Sequence, residues 1–285
     1  MSPLRQYLSR RIRKVTRAGA RPVDFSVPVG DPGLFGPDSM VWRVHQDFTS
    51  MMVGGVAALM LQALHPRVLA GVWDHSNFRQ DLQGRLGRTS FFIACTTYGG
   101  TQVAEAAIAH VRHVHGHVVG TAPDGQPYRA DDAELLTWVH ASEAYGFLSA
   151  YLAFIDPALS EAQQDQYLAE MAVVATKLGA TDVPRTRRAL DAYLLAQRPQ
   201  LEASDRTRDV LGVLAGFEPR TLASLFIRAA TGLLPAWAAD QLVAVGLPAP
   251  GRAFEGDLLR MIAPVARWAL AADGVAVIAR RRVGR

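Results

Sequence analysis

Apolar residues along this chain recur three or four positions apart, and the two-residue alternation of a half-buried strand is nearly absent. Helical runs end at Pro or Gly and then resume. Up to about residue 38, Pro22, Pro28, Gly30, Asp31-Pro32-Gly33 and Gly36-Pro37-Asp38 leave little room for regular structure. A first helix is predicted from Asp38 or Ser39 as N-cap, with Trp42 just inside it, and a second over roughly 51–64, stopped by His65-Pro66. A short helix around Val68–Trp73 follows. Arg85 to Thr96 reads as helical, with Thr89, Phe91, Phe92 and Ile93 keeping strand open as the alternative. The run from Thr101 to about Val119 is the longest clean helical pattern of this half. Residues 121–127 are a turn, since Pro123 presets φ and Gly125 supplies a positive one. Downstream, Asp131 with Glu134 and Ser160 with Gln163 have the spacing of capping boxes. Further helices are expected near 184–197, 205–215, 219–232, 235–246 and 253–280. The fold class is therefore all-α. The expected organisation is a basic arm and loop over 1–37, then a single large multi-helix domain over 38–285.

Composition changes this picture little. At 285 residues, with 49% hydrophobic and 20% charged, the chain is long enough to bury a full core. Its one cysteine, Cys95, excludes an internal disulfide and CxxC metal sites; it sits in an apolar run and reads as an inert buried thiol. That usage points to a reducing, cytoplasmic setting. The formal charge of +4 is concentrated at the ends: residues 1–21 hold Arg5, Arg10, Arg11, Arg13, Lys14, Arg17 and Arg21 with no acid, and the last residues include Arg280, Arg281, Arg282 and Arg285. The body between is mildly acidic, which argues against a nucleic-acid groove. The twin arginine at 10–11 lacks a following apolar region, so an export signal is not assigned. The basic arm reads as solvated, with contact to an anionic membrane as the alternative. Met51–Leu64 is the most apolar stretch and falls short of the roughly 20 residues a membrane span needs.

Chemistry is concentrated in the first half, where all eight histidines lie between His45 and His140. Phosphate-loop, GxSxG and HExxH patterns are missing, and Gly54-Gly55 in an apolar helix reads as a close-packing site. On a helical wheel His110, His113 and His117 fall within about 60° of one another and face outward. His115 instead falls among Ala104, Ala107, Ile108, Val111 and Val118. A histidine on an apolar face is ordinarily a core residue with one hydrogen bond; it is also what a haem iron needs as axial ligand. Arg85, Arg88 and Thr89 share a face at i, i+3 and i+4, and Arg112 lies one turn before His115. Each arginine taken singly reads as a surface residue or a local ion pair, for example Arg79 or Arg85 with Asp81. His140 sits on an apolar face with Leu136, Ala144, Phe147 and Tyr151, and reads as core or as pocket lining. Tyr167 and Glu170 read as bonding locally or capping.

The ordered set Asp74-His75-Ser76 with Phe78, Gly84-Arg85-Leu86-Gly87-Arg88-Thr89, Arg112-His113-Val114-His115, Tyr128-Arg129-Ala130-Asp131 and Leu135-Leu136-Thr137-Trp138-Val139-His140 resembles one family. That family is the catalytic domain of MpaB and rubber oxygenases (latex-clearing proteins), long catalogued as a domain of unknown function. The resemblance spans roughly residues 40–260. It implies a globin-like helical core carrying haem b, with Arg85 and Thr89 as the RxxxT pair near the haem, and Arg112 and His115 as the Arg-x-x-His that supplies the iron ligand. Arg88 joins the expected haem-binding set and His140 the expected catalytic set. The implied activity is O2 insertion or oxidative C=C cleavage on a small apolar substrate. The long extra segments of polymer-cleaving members are missing, so rubber itself is not the expected substrate. Two other readings stand beside this one: a haem-free helical protein binding an apolar ligand or partner helix, and a metal hydrolase built on His110, His113 and His117.

Overall fold

The computed structural model describes residues 6–7, 23–215, 222–247, 249, 253–271 and 274–284. Most of the expected basic arm (all but residues 6–7 of 1–22), and residues 219–221 of the helix expected at 219–232, lie outside these. The described residues form an all-α body with thirteen α-helices and one small hairpin. In chain order the first helices are α1 (Met40–His45), α2 (Phe48–Gln62), α3 (Pro66–His75), α4 (Leu82–Tyr98) and α5 (Thr101–His115). A hairpin of β1 (Val119–Thr121) and β2 (Pro127–Arg129) leads to α6 (Ala133–Phe154) and α7 (Glu161–Leu178). The remainder is α8 (Arg187–Gln197), α9 (Asp205–Ala215), α10 (Leu222–Thr231), α11 (Ala236–Ala244), α12 (Ala253–Leu270) and α13 (Val275–Arg282).

The caps explain most helix starts. Ser39 accepts from Trp42 N, and Ser160 and Gln163 form a full capping box on α7. Asp47 caps α2 three residues earlier than the apolar run suggests, by accepting from Ser50 N. The cap of α6 is Asp132, not Asp131; Asp131 is taken by Arg129, with both oxygens at 3.0 Å. The α5 pattern stops at Gly116, and β1 and β2 pair in register Val119–Arg129, Gly120–Tyr128 and Thr121–Pro127. The expected helix over 253–280 is two helices, with Gly274 as N-cap of the second.

The centre of the body is the α2–α6 pair, apolar on nearly every side and buried along its length. The pair is close enough at Gly54 and Gly146 that a Cβ on Gly54 would stand 2.7 Å from the Gly146 carbonyl oxygen. Around this pair, α7 and α1 pack on one side and α10 and α12 on another, while α3 carries the hairpin. The α4–α5 hairpin leans on α7, α1 and α13. Cys95 is buried, and burial pushes its thiol up to about 12, as an inert core cysteine requires.

One arginine of the charge-rich C-terminal end is in the core. Arg282 is 2% exposed and donates to the carbonyls of Asp31 (2.9 Å), Phe25 (3.1 Å) and Tyr98 (2.7 Å). It joins α13, the end of α4 and the loop over 23–37. Three carbonyls in one guanidinium fork are reason enough for an arginine to be drawn out of water. The architecture is all-α, and it does not by itself establish the globin-like core that the resemblance implies.

Candidate functional site

The N-terminal half of α4 carries three of the expected residues. Asp81 caps this helix by accepting from Gly84 N at 2.8 Å, which sets the rotation of the first turn. That rotation turns Arg85 inward, where it lines a cavity of about 30 Å³ with Leu59 and Gln62 of α2, Val68 and Val72 of α3, and Phe78. Ala63, Leu69, Leu82, Val210 and Leu214 complete the walls, so all but two of these side chains, Arg85 and Gln62, are apolar. Burial, and then the like charge of Arg88, lowers the pKa of Arg85. The local ion pair with Asp81 does not form. Arg88 takes Asp81 at 3.5 Å, Arg79 stacks on Trp73 at 3.7 Å, and no carboxylate or hydrogen-bond acceptor reaches Arg85 among the described residues. Arg85 is half-buried, and a cation set against apolar walls without an anion is a common mark of a ligand site.

The other expected residues are placed less centrally. Thr89 is exposed and donates back to Arg85 O at 3.3 Å. Arg112 is exposed and donates to Lys177 O at 3.4 Å, at the end of α7. His115 is the last residue of α5, half-buried rather than fully buried as its wheel position suggests. Burial lowers its pKa, against a smaller raising effect from Asp131, so its imidazole is neutral at pH 7. The two-residue link Gly99-Gly100 folds α4 back on α5. At 1.5 Å rise per residue, Arg85 and His115 each lie about 21 Å along their own helices from that turn. His115 does not line the Arg85 cavity.

His140 is buried in α6, with its pKa pushed down to about 4 by burial and its Nε2 without a partner. The neighbouring Val139 carbonyl accepts from Gln62 Nε2 at 3.3 Å, so His140 stands one residue from a group tied to the cavity wall. His65 Nδ1 and Trp138 Nε1 are also unpartnered, with their rings 6.1 Å apart. The outward histidines behave as a solvated face: His113 and His117 rings lie 4.7 Å apart, and His117 Nδ1–H donates to His113 O at 2.7 Å. No group of three or more His, Cys, Asp or Glu is placed to hold a metal among the described residues, so the hydrolase reading has no geometry behind it.

A buried polar chain escaped the sequence reading. His45 Nδ1 lies 2.9 Å from Thr97 Oγ1, and His45 Nε2 lies 3.1 Å from Tyr167 Oη. Burial holds His45 down to about 3, so the ring is neutral and makes one bond as donor and one as acceptor. Tyr167 therefore bonds across the molecule, while Glu170 does cap, accepting from Val41 N at 2.9 Å. Glu143, close enough to Tyr167 to raise that phenol's pKa, is itself raised to about 7 by burial and has no hydrogen bond among the described residues. The only local signal for this group was an acid and a histidine, at positions 143 and 140, in one apolar helix.

No curated protein and no solved structure matches the chain. A family model does. The description "ER-bound oxygenase mpaB/B'/Rubber oxygenase, catalytic domain" matches residues 42–268, well over half of the length and all of the region built above. The RxxxT positions, the Arg-x-x-His positions and the α2–α6 pair all fall inside that match. The chain belongs to the MpaB/rubber-oxygenase catalytic-domain family.

Proposed function

We propose that the protein is a haem-b-dependent oxygenase that uses O2 on a small apolar substrate. The observation that carries this reading is Arg85, a half-buried cation with apolar walls and no acid, on the helix that Gly99-Gly100 joins to α5, where His115 offers a neutral imidazole. The donor set suits a haem: His115 would hold the iron and Arg85 a propionate, with Arg88 and Arg112 on the flanking surface. When bound, haem supplies the redox chemistry of oxygen activation.

The chain's own residues have simpler tasks. Leu59, Val68, Val72 and Phe78 exclude water and favour a hydrocarbon over a polar substrate. Asp131, near His115 but bonded to Arg129, biases the imidazole towards greater basicity. Thr89 offers a hydroxyl to a ligand once it leaves the Arg85 carbonyl. His140 is a neutral proton acceptor behind the cavity wall. The space beside Arg85 is far below the roughly 300–1,000 Å³ of an ordinary ligand pocket. Uptake of a haem or a substrate therefore requires α3 or the first turns of α4 to move.

The small cavity with a single cation favours a second reading: a haem-free protein that binds an apolar acid through Arg85. One experiment separates the two. The protein is purified with added haemin and its visible spectrum recorded for wild type, His115→Ala and Arg85→Ala. A Soret band that His115→Ala abolishes or shifts supports the oxygenase. Absence of a band in wild type, together with fatty-acid binding lost in Arg85→Ala, replaces it by the second reading. A band indifferent to His115 removes that residue as ligand.

A further inference from the structure

Two further arginines stand against the outside of the wall that encloses the Arg85 cavity. Arg79 lies on the loop from α3 to α4, next to Phe78 and three residues before Leu82, both of which line the cavity. Arg206 lies one turn before Val210 on α9, and Val210 lines the same wall. The two meet on Trp73, the residue after Val72 of the wall. Their guanidinium carbons lie 3.7 Å and 5.1 Å from the centre of that one indole ring.

The acids of this neighbourhood are already engaged. Asp81 caps α4 and pairs with Arg88 at 3.5 Å, and Asp74 accepts from Tyr128 Oη at 2.7 Å. Asp74 Oδ1 is 3.9 Å from Arg206 Nη1, which is beyond a hydrogen bond. That Nη1 is shut off from solvent and has no hydrogen-bond partner. Arg79 is held by the faces of Trp73 and Phe78, with no ion pair among the described residues. Contact with an aromatic face offsets part of the cost of such positions but brings no counter-charge, and two cations on one ring repel each other.

We propose that Arg79 and Arg206, on the platform of Trp73, bind the anionic oxygens of an amphiphile whose apolar chain enters the Arg85 cavity. Guanidinium forks suit carboxylate and phosphate alike, and the apolar wall beside them suits a hydrocarbon. The two arginines adjoin the Arg85 cavity, so this assignment rests on that cavity taking the ligand. The anionic head belongs either to the substrate or to a haem propionate, and the same two guanidiniums serve for both.

The test is calorimetric titration of the haem-free full-length protein with dodecyl phosphate, dodecanoate and dodecanol. The two anions are expected to bind, more weakly at high salt, and to lose at least about tenfold in affinity in Arg79→Gln and in Arg206→Gln. Part of the affinity returns in Arg206→Lys, which keeps the charge. Dodecanol is expected to bind weakly and alike in all of these proteins. Arg79 is exposed, so Arg79→Gln keeps the wild-type circular dichroism and melting temperature. Dodecanol bound as tightly as dodecanoate, anions bound equally by wild type and both Gln variants, or no anion bound, overturns the proposal. Loss of dodecanoate binding in Arg85→Ala alone keeps the cavity as the ligand site and overturns the Arg79–Arg206 site. The same titration on haemin-loaded protein identifies the head in a site that has passed these tests. Dodecyl phosphate still bound at the haem-free affinity assigns it to the substrate; displacement, with a haem affinity lowered by both Gln variants, assigns it to a propionate.

Discussion

Replacing Gly54 by alanine adds one methyl group at the closest point of the α2–α6 pair, and its effect follows from three distances. The new Cβ would lie 2.7 Å from Gly146 O, and 2.8 Å from both Gly146 C and Phe147 Cα, whereas ordinary contact begins at 3.4 Å. All three atoms are backbone, so no side chain can swing aside, and the helices must separate by about 0.7 Å. Overpacking a well-packed core costs about 1–3 kcal/mol when side chains yield, and the upper end applies here. Alanine returns up to about 1 kcal/mol in helix propensity. The net loss is about 2 kcal/mol, or a fall in melting temperature of about 4–8 °C for a chain of this size. Gly55 is the internal control. A Cβ there meets only Phe147 Cε1 at 3.6 Å, so Gly55→Ala should keep the propensity gain and raise the melting temperature slightly. The assay is thermal unfolding followed by circular dichroism on both variants. If Gly54→Ala melts with or above wild type, or Gly55→Ala falls as far, the close backbone contact is not what the glycine provides.

Arg282→Met should cost about 3–4 kcal/mol in urea unfolding, because the carbonyls of Phe25, Asp31 and Tyr98 lose one shared donor in a dry site; a loss below about 1 kcal/mol would refute that role. Asp47 both caps α2 and meets Arg267 at 2.7 Å, but Arg267 is 47% exposed and its ion pair is screened. Asp47→Asn, which keeps the cap, should therefore stay within about 1 kcal/mol of wild type, and Asp47→Ala should lose about 2 kcal/mol; equal losses would assign the energy to the ion pair. His45, His65 and His140 are held neutral by burial, at about 3, 4 and 4 respectively, below the unfolded 6.5. The unfolded chain binds more protons in that window, so stability should fall as pH drops below about 6.5, and His45→Gln should flatten the fall. Glu143 acts in the opposite sense. Raised to about 7 from 4.5, it contributes stability below 4.5 that is lost as pH rises through 7, so Glu143→Gln should raise the melting temperature most at pH 8. A pH profile unchanged by either substitution would show that these groups are solvated.

How much of this was legible depends on how far apart the partners lie. Ser39 and the Ser160/Gln163 box act within one turn, and their helices begin where those residues say. Asp131 and Asp132 are neighbours, and three-residue spacing to Glu134 selects the wrong one; only the pairing of Arg129 with Asp131 decides it. Three-residue strands are too short to show alternation, so the helical pattern from Thr101 ran on past Gly116 into β1. Gly54 was correctly read as a packing residue, since a glycine in an apolar helix has few other uses. At the site, the wheel turned His115 inward, but its position at the end of α5 leaves it half-exposed. The shared face of Arg85 and Arg88 was visible; that only Arg85 enters a cavity was not, because the walls come from α2, α3 and α9. The His45–Tyr167 bond joins residues 122 apart, and nothing local to either announces the other.

The Arg282 clasp also bears on how the molecule is made. It joins residues 251 and 257 positions apart, so while the intervening chain is still emerging from the ribosome the loop over 23–37 is held by Asp31, which accepts from Thr101 N and Oγ1, without its Arg282 clasp. During synthesis α2 and α6 can meet early, and the loop over 23–37 gains its last anchor only with α13. A nascent chain stalled before Arg282 would have its centre assembled and its entry loop held at fewer points, a state that limited proteolysis near Val27–Val29 would detect as a faster cut than in the finished protein.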